Sequence, residues 1–315
     1  MAPYLWIPVF LISLYVLIKA SEYFTRSAET LGISLGIPNF IVGVTIVAFG
    51  TSLPEIVSSI FAVVKGSSEI VLGNVVGSNI TNIFLIVGCA AVLAKKMKIK
   101  FEILHIDLPF LIASAGFLSF AVWDGTFTRL EALLSLLGIL VFILYAISTR
   151  KGRIDIRGGL EDKTVPRHLR LKTITVLVIS GIFIYLGGKF TIDAVIKLSQ
   201  IFNIGKEIIG ASAVALGTSL PELIVSITAV RQGKPELAIG NVLGSNVFNA
   251  FAVMGIPGLV GPLVVPQHIL HLGIPMLVFA TLLFFFMIQD KEITRWEGFL
   301  LLIFYAFFLI KLFLI

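Results

Sequence analysis

The chain is poor in charge and almost devoid of cysteine. Only 13% of its 315 residues are Asp, Glu, Lys or Arg, about half the share found in soluble domains, which excludes a water-soluble globular fold. The single cysteine, Cys89, excludes an intrachain disulfide; set in a helical pattern among small residues, it reads as a packing residue. Histidine is nearly as scarce. His268 and His271 are three apart but lack a third ligand, so they read as interfacial side chains and not as a metal site. No Ser/His or paired-Asp arrangement supports an intramembrane protease, and the chain is not expected to be an enzyme.

What fills the space is apolar sequence. Hydrophobic residues make up 57% of the chain and the mean hydropathy is +1.04. Runs of about 20 apolar residues, the length a bilayer-spanning helix requires, recur along the whole chain. There are ten: 3–22, 38–64, 69–94, 103–123, 128–149, 171–195, 207–230, 235–260, 267–289 and 295–314. They are continuous, whereas barrel strands would alternate apolar and polar positions. The expected fold is an all-α integral membrane protein of ten transmembrane helices forming one membrane domain. The first run lacks a basic leader and is followed by Lys19-Ala20-Ser21-Glu22, not a small-residue cleavage site, so it reads as helix 1 and not as a signal peptide.

The sequence pI near 9.4 invites a nucleic-acid reading, which the distribution of charge removes. If the charged loop 150–172 faces the cytoplasm, both termini are extracellular. The cytoplasmic side then holds Lys19, Arg26, Lys95, Lys96, Lys98, Lys100, eight basic residues of the central loop, Arg231, Lys234, Lys291 and Arg295, 18 of the 24 Lys and Arg. This is the positive-inside bias of a multi-pass plasma-membrane protein with lipid, not a polyanion, as its surroundings.

The chain also contains itself twice. Shifted by 167 residues, Gly50–Gly88 superimposes on Gly217–Gly255 without a gap, with 21 of 39 positions identical. The matches are Gly, Pro, Asn and Glu in register, which chance apolar similarity does not produce. Residues 1–149 therefore form an N-terminal five-helix repeat, 150–170 a flexible cytoplasmic linker, and 171–315 a C-terminal five-helix repeat. Five is odd, so the second repeat is expected upside down relative to the first, as in many transporters.

Each copy begins with Gly-Thr-Ser-Leu-Pro-Glu, at 50–55 and 217–222, and drops a glutamate into an apolar span. A carboxylate at bilayer depth costs about 2.5–3.5 kcal/mol on insertion scales, so Glu55 and Glu222 are read as functional. Pro54 and Pro221 remove a helical hydrogen bond, so helices 2 and 7 should break near Gly50 and Gly217 and free backbone carbonyls beside Thr51, Ser52, Thr218 and Ser219. Some 20 residues later, Ser78 and Asn82 share a helical face, as do Ser245 and Asn249. Gly73, Gly77, Gly240 and Gly244 form small-xxx-small patterns that admit a close neighbour. Asn74 and Asn241 are expected to bond broken backbone. Asp107, Asp124, Glu131 and Asp193 fall near span ends and read as anchoring groups.

All donors of this constellation are oxygens. Hard cations such as Ca²⁺ and Na⁺ take oxygen ligands, while the absence of Cys and His disfavours Zn²⁺ and Cu⁺. Two carboxylates balance one divalent charge or a small cluster of monovalent ions, and protons are expected to compete.

At these motifs the sequence resembles the sodium/calcium exchanger family of the cation/calcium exchanger superfamily, in its prokaryotic form with a short central linker. The family's two α-repeats carry GTSxPE and GNxxGS motifs, present here at Gly50–Glu55 with Gly73–Ser78 and at Gly217–Glu222 with Gly240–Ser245. The resemblance implies an antiporter with no prosthetic group, acting as a monomer, with Ca²⁺ and Na⁺ as transported ligands. It implies Ca²⁺ held by Glu55, Glu222 and the carbonyls of Thr51 and Thr218. Sodium would lie near Ser52, Ser78, Ser219 and Ser245 with the carbonyls of Ala48 and Ala215. Helices 1 and 6 would slide against the other eight; the connections after them hold Gly32, Gly36 and Gly205, which suit that motion as they would suit simple loops. Some relatives have aspartate where this chain has Asn249, the mate of Asn82; asparagine at both favours potassium independence. A proton/calcium exchanger, a potassium-dependent exchanger and, more remotely, a cation channel are the alternatives.

Overall fold

The computed structural model describes residues 5–34, 50, 52–98, 101–151, 167–233 and 235–314. Among them the chain is helical almost throughout: α1 (Trp6–Ser34), α2 (Leu53–Val64), α3 (Glu69–Ala94), α4 (Phe101–Ala121), α5 (Arg129–Lys151), α6 (Arg167–Phe202), α7 (Lys206–Thr218), α8 (Leu220–Arg231), α9 (Leu237–Val260), α10 (Ile269–Gln289) and α11 (Arg295–Leu314). Seven of these are long and apolar enough to cross a membrane, and α7 with α8, bent by 42° at their junction, supply an eighth. The chain is a multi-pass membrane protein.

The ten expected spans are thus matched by fewer full-length helices. Residues 35–49, which begin the second expected span, lie outside the described residues, leaving α2 with 12 residues. The apolar stretch of α4 identified among the described residues is Leu108–Ala121. Helix α1 outruns its expected end at residue 22 by three turns. Its polar stretch stays helical through one-turn contacts, Lys19 with Glu22 at 3.0 Å and Thr25 Oγ1 donating to the Ser21 carbonyl at 2.8 Å. Helices α5 and α6 also reach into the expected linker, ending at Lys151 and starting at Arg167.

Burial sorts the helices. Within their spans, α3 is 83% and α9 is 78% buried, whereas α5 and α6 are each 22% buried. Large apolar side chains such as Leu137, Leu144, Ile182, Ile303 and Ile310 point outward where lipid would lie. Helix α1 packs along α6 as a long pair at the rim, with Thr191 Oγ1 donating to Ser13 Oγ at 3.1 Å between them. At the centre, α3 crosses α7 so closely that a Cβ on Gly73 would stand 2.4 Å from the Glu207 carbonyl oxygen, and one on Gly77 would stand 2.3 Å from that of Ala211. The small-residue pattern is therefore a backbone-to-backbone contact. Its partner Gly244 meets nothing within 4 Å among the described residues.

Two miniature antiparallel sheets tie loops together. β1 (Lys96–Lys98) pairs with β4 (Glu292–Thr294), and β2 (Thr126–Phe127) pairs with β3 (Leu263–Val264). Their central side chains Met97, Ile293, Phe127 and Leu263 are buried. The helices that follow β2 and β4 open alike: Glu131 accepts from Thr128 Oγ1 at 2.8 Å and Glu297 from Thr294 Oγ1 at 2.7 Å. Glu131 is thus the closing member of a capping box. Asp193 lies well inside α6, where it ion-pairs with Lys65 at the end of α2. Asp124 accepts from the Thr126 N–H at 3.1 Å in a tight turn. The expected hinge glycine Gly36 lies outside the described residues, as do Ala48 and Thr51.

Candidate cation site

Helices α2 and α8 both open with Leu-Pro-Glu, so each glutamate sits in the first turn of a short helix. A proline there forfeits no hydrogen bond, since the first-turn N–H groups are unpaired in any helix. The turn is made at the preceding serine, Ser52 with φ −88° and ψ 5° and Ser219 with φ −82° and ψ 1°. The break therefore falls two residues after the expected Gly50 and Gly217. Those glycines serve another purpose: a Cβ on Gly50 would collide with Thr25 and one on Gly217 with Leu14, both on α1. They let α1 lie against the broken helices.

Across the second break, the Ser219 N–H donates to the Ala215 carbonyl at 3.0 Å and the Leu223 N–H to the Ser219 carbonyl at 3.0 Å. The Thr218 carbonyl is skipped. The Ala215 carbonyl, which the resemblance implies as a sodium donor, accepts the Ser219 N–H within the helix, because the chain stays helical up to Thr218.

Glu55 and Glu222 are 1% and 2% exposed and close enough for their charges to repel one another. Each carboxylate lies against its own backbone N–H at the positive end of a helix. Thr218 stands beside Glu55, its hydroxyl donating to the Val214 carbonyl at 3.0 Å. Ser245 donates to Glu222 Oε1 at 3.4 Å. Asn241 donates to the Glu222 carbonyl at 3.2 Å and to Ser226 Oγ at 3.1 Å, so it holds backbone. Asn74 Oδ1 lies 3.5 Å from Thr218 Oγ1. Ser52, Ser78, Ser219, Asn82 and Asn249 are all buried as well.

Six oxygens of this set are enclosed and have no hydrogen-bond partner among the described residues: Glu55 Oε2, Glu222 Oε2, Ser78 Oγ, Ser219 Oγ, Asn82 Oδ1 and Asn249 Oδ1. Buried polar atoms are ordinarily paired, and an unpaired one costs about 1–3 kcal/mol. Oxygens of this kind are ligands a hard cation can take; Asn74 Nδ2, also buried without a partner among the described residues, is not. No cluster of three or more acidic, His or Cys side chains occurs among the described residues, so two carboxylates set the charge. His271 bonds the Gln267 carbonyl at 2.8 Å, away from this centre.

Sequence reasoning overlooked Asn79 and Asn246. Asn79 Nδ2 donates to the Asn246 carbonyl and Asn246 Nδ2 to the Asn79 carbonyl, both at 3.3 Å. The Asn82 amide donates to Asn246 Oδ1 at 2.9 Å and the Asn249 amide to Asn79 Oδ1 at 3.0 Å. The available signal was the three-residue spacing of Asn79 to Asn82 and of Asn246 to Asn249, which puts each pair on one face.

Known proteins resemble the chain over most or all of its length. The family described as "Sodium/calcium exchanger protein" matches residues 5–148 and 172–314. Sodium/calcium exchanger MaX1 of Methanosarcina acetivorans is 36% identical, the match covering 98% of either chain. Inner membrane protein YrbG of Escherichia coli is 30% identical over 80% of this chain and 79% of its own. Among solved structures, the sodium-calcium exchanger NCX_Mj soaked with Na⁺ and Sr²⁺ superimposes with a TM-score of 0.66 at 26% identity, covering 97% of this chain and 98% of that one. A match over nearly the full length, joined to the buried glutamate pair, places this chain in the sodium/calcium exchanger protein family.

Proposed function

We propose that the chain is a secondary active antiporter that exchanges Na⁺ for Ca²⁺ across the plasma membrane, both ions competing for one site between Glu55 and Glu222. The observation that carries this reading is the set of six buried oxygens, drawn from both halves of the chain, that have no partner among the described residues. Ca²⁺ takes six to eight oxygens with mixed carboxylate and neutral ligation, and the two carboxylates match its charge. The Ser52 hydroxyl and the carbonyls of Thr51, Thr218, Ala48 and Ala215 are further candidate donors for Ca²⁺ or Na⁺. Each half supplies one carboxylate, so a single chain suffices.

Exchange is obligatory because the empty pocket is penalised. Carrying two bare carboxylates through a closed, low-dielectric state costs several kcal/mol per ion, and either Ca²⁺ or Na⁺ removes that penalty. Access alternates as the α1–α6 pair slides over the remaining helices. Supporting this, a cleft of about 290 Å³ runs between Ser21, Glu22, Thr25 and Arg26 of α1 and the prolines Pro54 and Pro221 of the broken helices.

The full plan is ten spans in two inverted repeats with extracellular termini. The strands support the inversion. β1 and β2 flank α4 and so lie on opposite faces of the membrane, yet β1 and β3 follow the equivalent helices α3 and α9, and β3 pairs with β2. With α4 spanning the membrane, equivalent strands on opposite faces fit repeats of opposite orientation. In the proposed topology β1 and β4 fall in cytoplasmic loops and β2 and β3 in extracellular ones, so every pairing joins loops of one side.

The test is ⁴⁵Ca²⁺ uptake into proteoliposomes under imposed Na⁺, K⁺ or H⁺ gradients. An outward Na⁺ gradient should drive uptake, and Glu55→Gln or Glu222→Gln should abolish it in folded protein. Uptake driven by a pH gradient and indifferent to Na⁺ would establish a proton/calcium exchanger instead.

A further inference from the structure

The four central asparagines do more than pack. Their amides are joined by reciprocal bonds across the two halves: Asn82 donates to Asn246 Oδ1 at 2.9 Å and Asn249 donates to Asn79 Oδ1 at 3.0 Å. A primary amide has two donors on nitrogen and an acceptor oxygen. Turning either Asn82 or Asn249 over would set two carbonyl oxygens against each other in a buried site. The orientation is therefore fixed, and it leaves Asn82 Oδ1 and Asn249 Oδ1 as the atoms without a partner among the described residues.

Asn79 and Asn246 are fixed in turn, because each gives its own Nδ2 to the other's main-chain carbonyl at 3.3 Å. All four residues are no more than 2% exposed, so these bonds lie away from bulk water. We infer that Asn79 and Asn246 are positioning residues, which touch no ion themselves and hold the amide oxygens of Asn249 and Asn82 toward the hard cation bound between Glu55 and Glu222.

This deepens the cation-site reading and rests on it. It also gives Asn249 a reason to be uncharged. An aspartate at 249 would have no N–H for Asn79 Oδ1 and would set a carboxylate oxygen against it. The cross-bonded amides thus keep the pocket at two negative charges while adding two neutral oxygens. Ligand-orienting groups of this kind change metal affinity about 10–100-fold when removed.

The test is a double-mutant cycle read by calorimetric Ca²⁺ titration of the purified full chain in detergent, an affinity that does not depend on how much protein is folded. Asn79→Ala should weaken Ca²⁺ binding about tenfold. In an Asn249→Ala background the same change should have almost no further effect, because the group it orients is gone. Ser135→Ala, which removes a fully buried, unpartnered hydroxyl on α5, should leave affinity unchanged and serves as the packing control. Wild-type affinity in Asn79→Ala, or full additivity with Asn249→Ala, overturns the positioning role while leaving the cation site standing. A wild-type chain that binds neither Ca²⁺ nor Na⁺ overturns both. If Asn79→Ala does not fold, the equivalent cycle of Asn246 with Asn82 decides on the same criteria.

Discussion

The α3–α9 centre and the α1–α6 rim pair are built on different terms. At the centre, most of each span is buried, 83% for α3 and 78% for α9. Backbones touch at Gly73 and Gly77, and amides are cross-bonded between the halves. At the rim, α6 is only 22% buried, and α1 and α6 pack chiefly on each other, beside a cleft that reaches the broken helices. Glycine contacts and paired polar groups specify one geometry, whereas apolar surface facing lipid specifies almost none, because lipid tails are as apolar as the side chains they meet. A fixed centre with a pair seated at its lipid-facing edge is what a carrier needs if ligands stay in place while access changes.

The same insertion made in both regions tests that contrast most severely. Gly77→Val puts a branched side chain where a Cβ alone would lie 2.3 Å from the Ala211 carbonyl oxygen. It should remove about 3 kcal/mol or more of stability and yield little folded protein, as measured by thermal unfolding in detergent. Gly187→Val on α6 meets the Leu17 backbone at 2.9 Å, but α6 is only 22% buried and has lipid, not protein, on its outer side. That variant should fold, retain Ca²⁺ affinity and lose uptake rate several-fold. Equal destabilisation by the two variants would erase the distinction.

A smaller effect is expected where the rim is tied to the core by charge. Lys65 of α2 pairs with Asp193 of α6, with side chains 24% and 31% exposed. The equivalent residue of α8 is Gln232, so the contact has no charged twin. Partly solvated pairs contribute about 0–1 kcal/mol. Lys65→Met should therefore shift the unfolding temperature by a few degrees at most, and a large loss of stability would show that the rim is held more rigidly than proposed.

Much of this was legible in the sequence. Ten apolar runs, the Gly50–Gly88 duplication and two membrane glutamates lead to the membrane fold and to Glu55 and Glu222 without coordinates, because hydropathy and a carboxylate in an apolar run are local properties. What was not legible depends on which helices meet. Asn79 and Asn246 looked like two more matched positions, and nothing local says that their amides cross. Gly50 and Gly217 looked like helix breakers; their contact with α1 depends on a helix at least 25 residues away in sequence. Helix α1 outruns its apolar run because Lys19, Glu22, Arg26 and Glu29 lower the hydropathy yet keep a helical three- and four-residue spacing. Glu131 and Asp193 looked like generic anchors, and only the fold separates a capping group from an ion-pair partner.

The central claim is that one ion is shared by carboxylates from both halves. Calorimetric titration of Ca²⁺ into the wild type, Glu55→Gln and Glu222→Gln, with and without Na⁺, addresses it directly. One Ca²⁺ should bind per wild-type chain, more weakly as Na⁺ rises, and either single substitution should eliminate binding. Retention of a full-affinity Ca²⁺ site in either variant, or indifference of the wild type to Na⁺, would contradict a shared site.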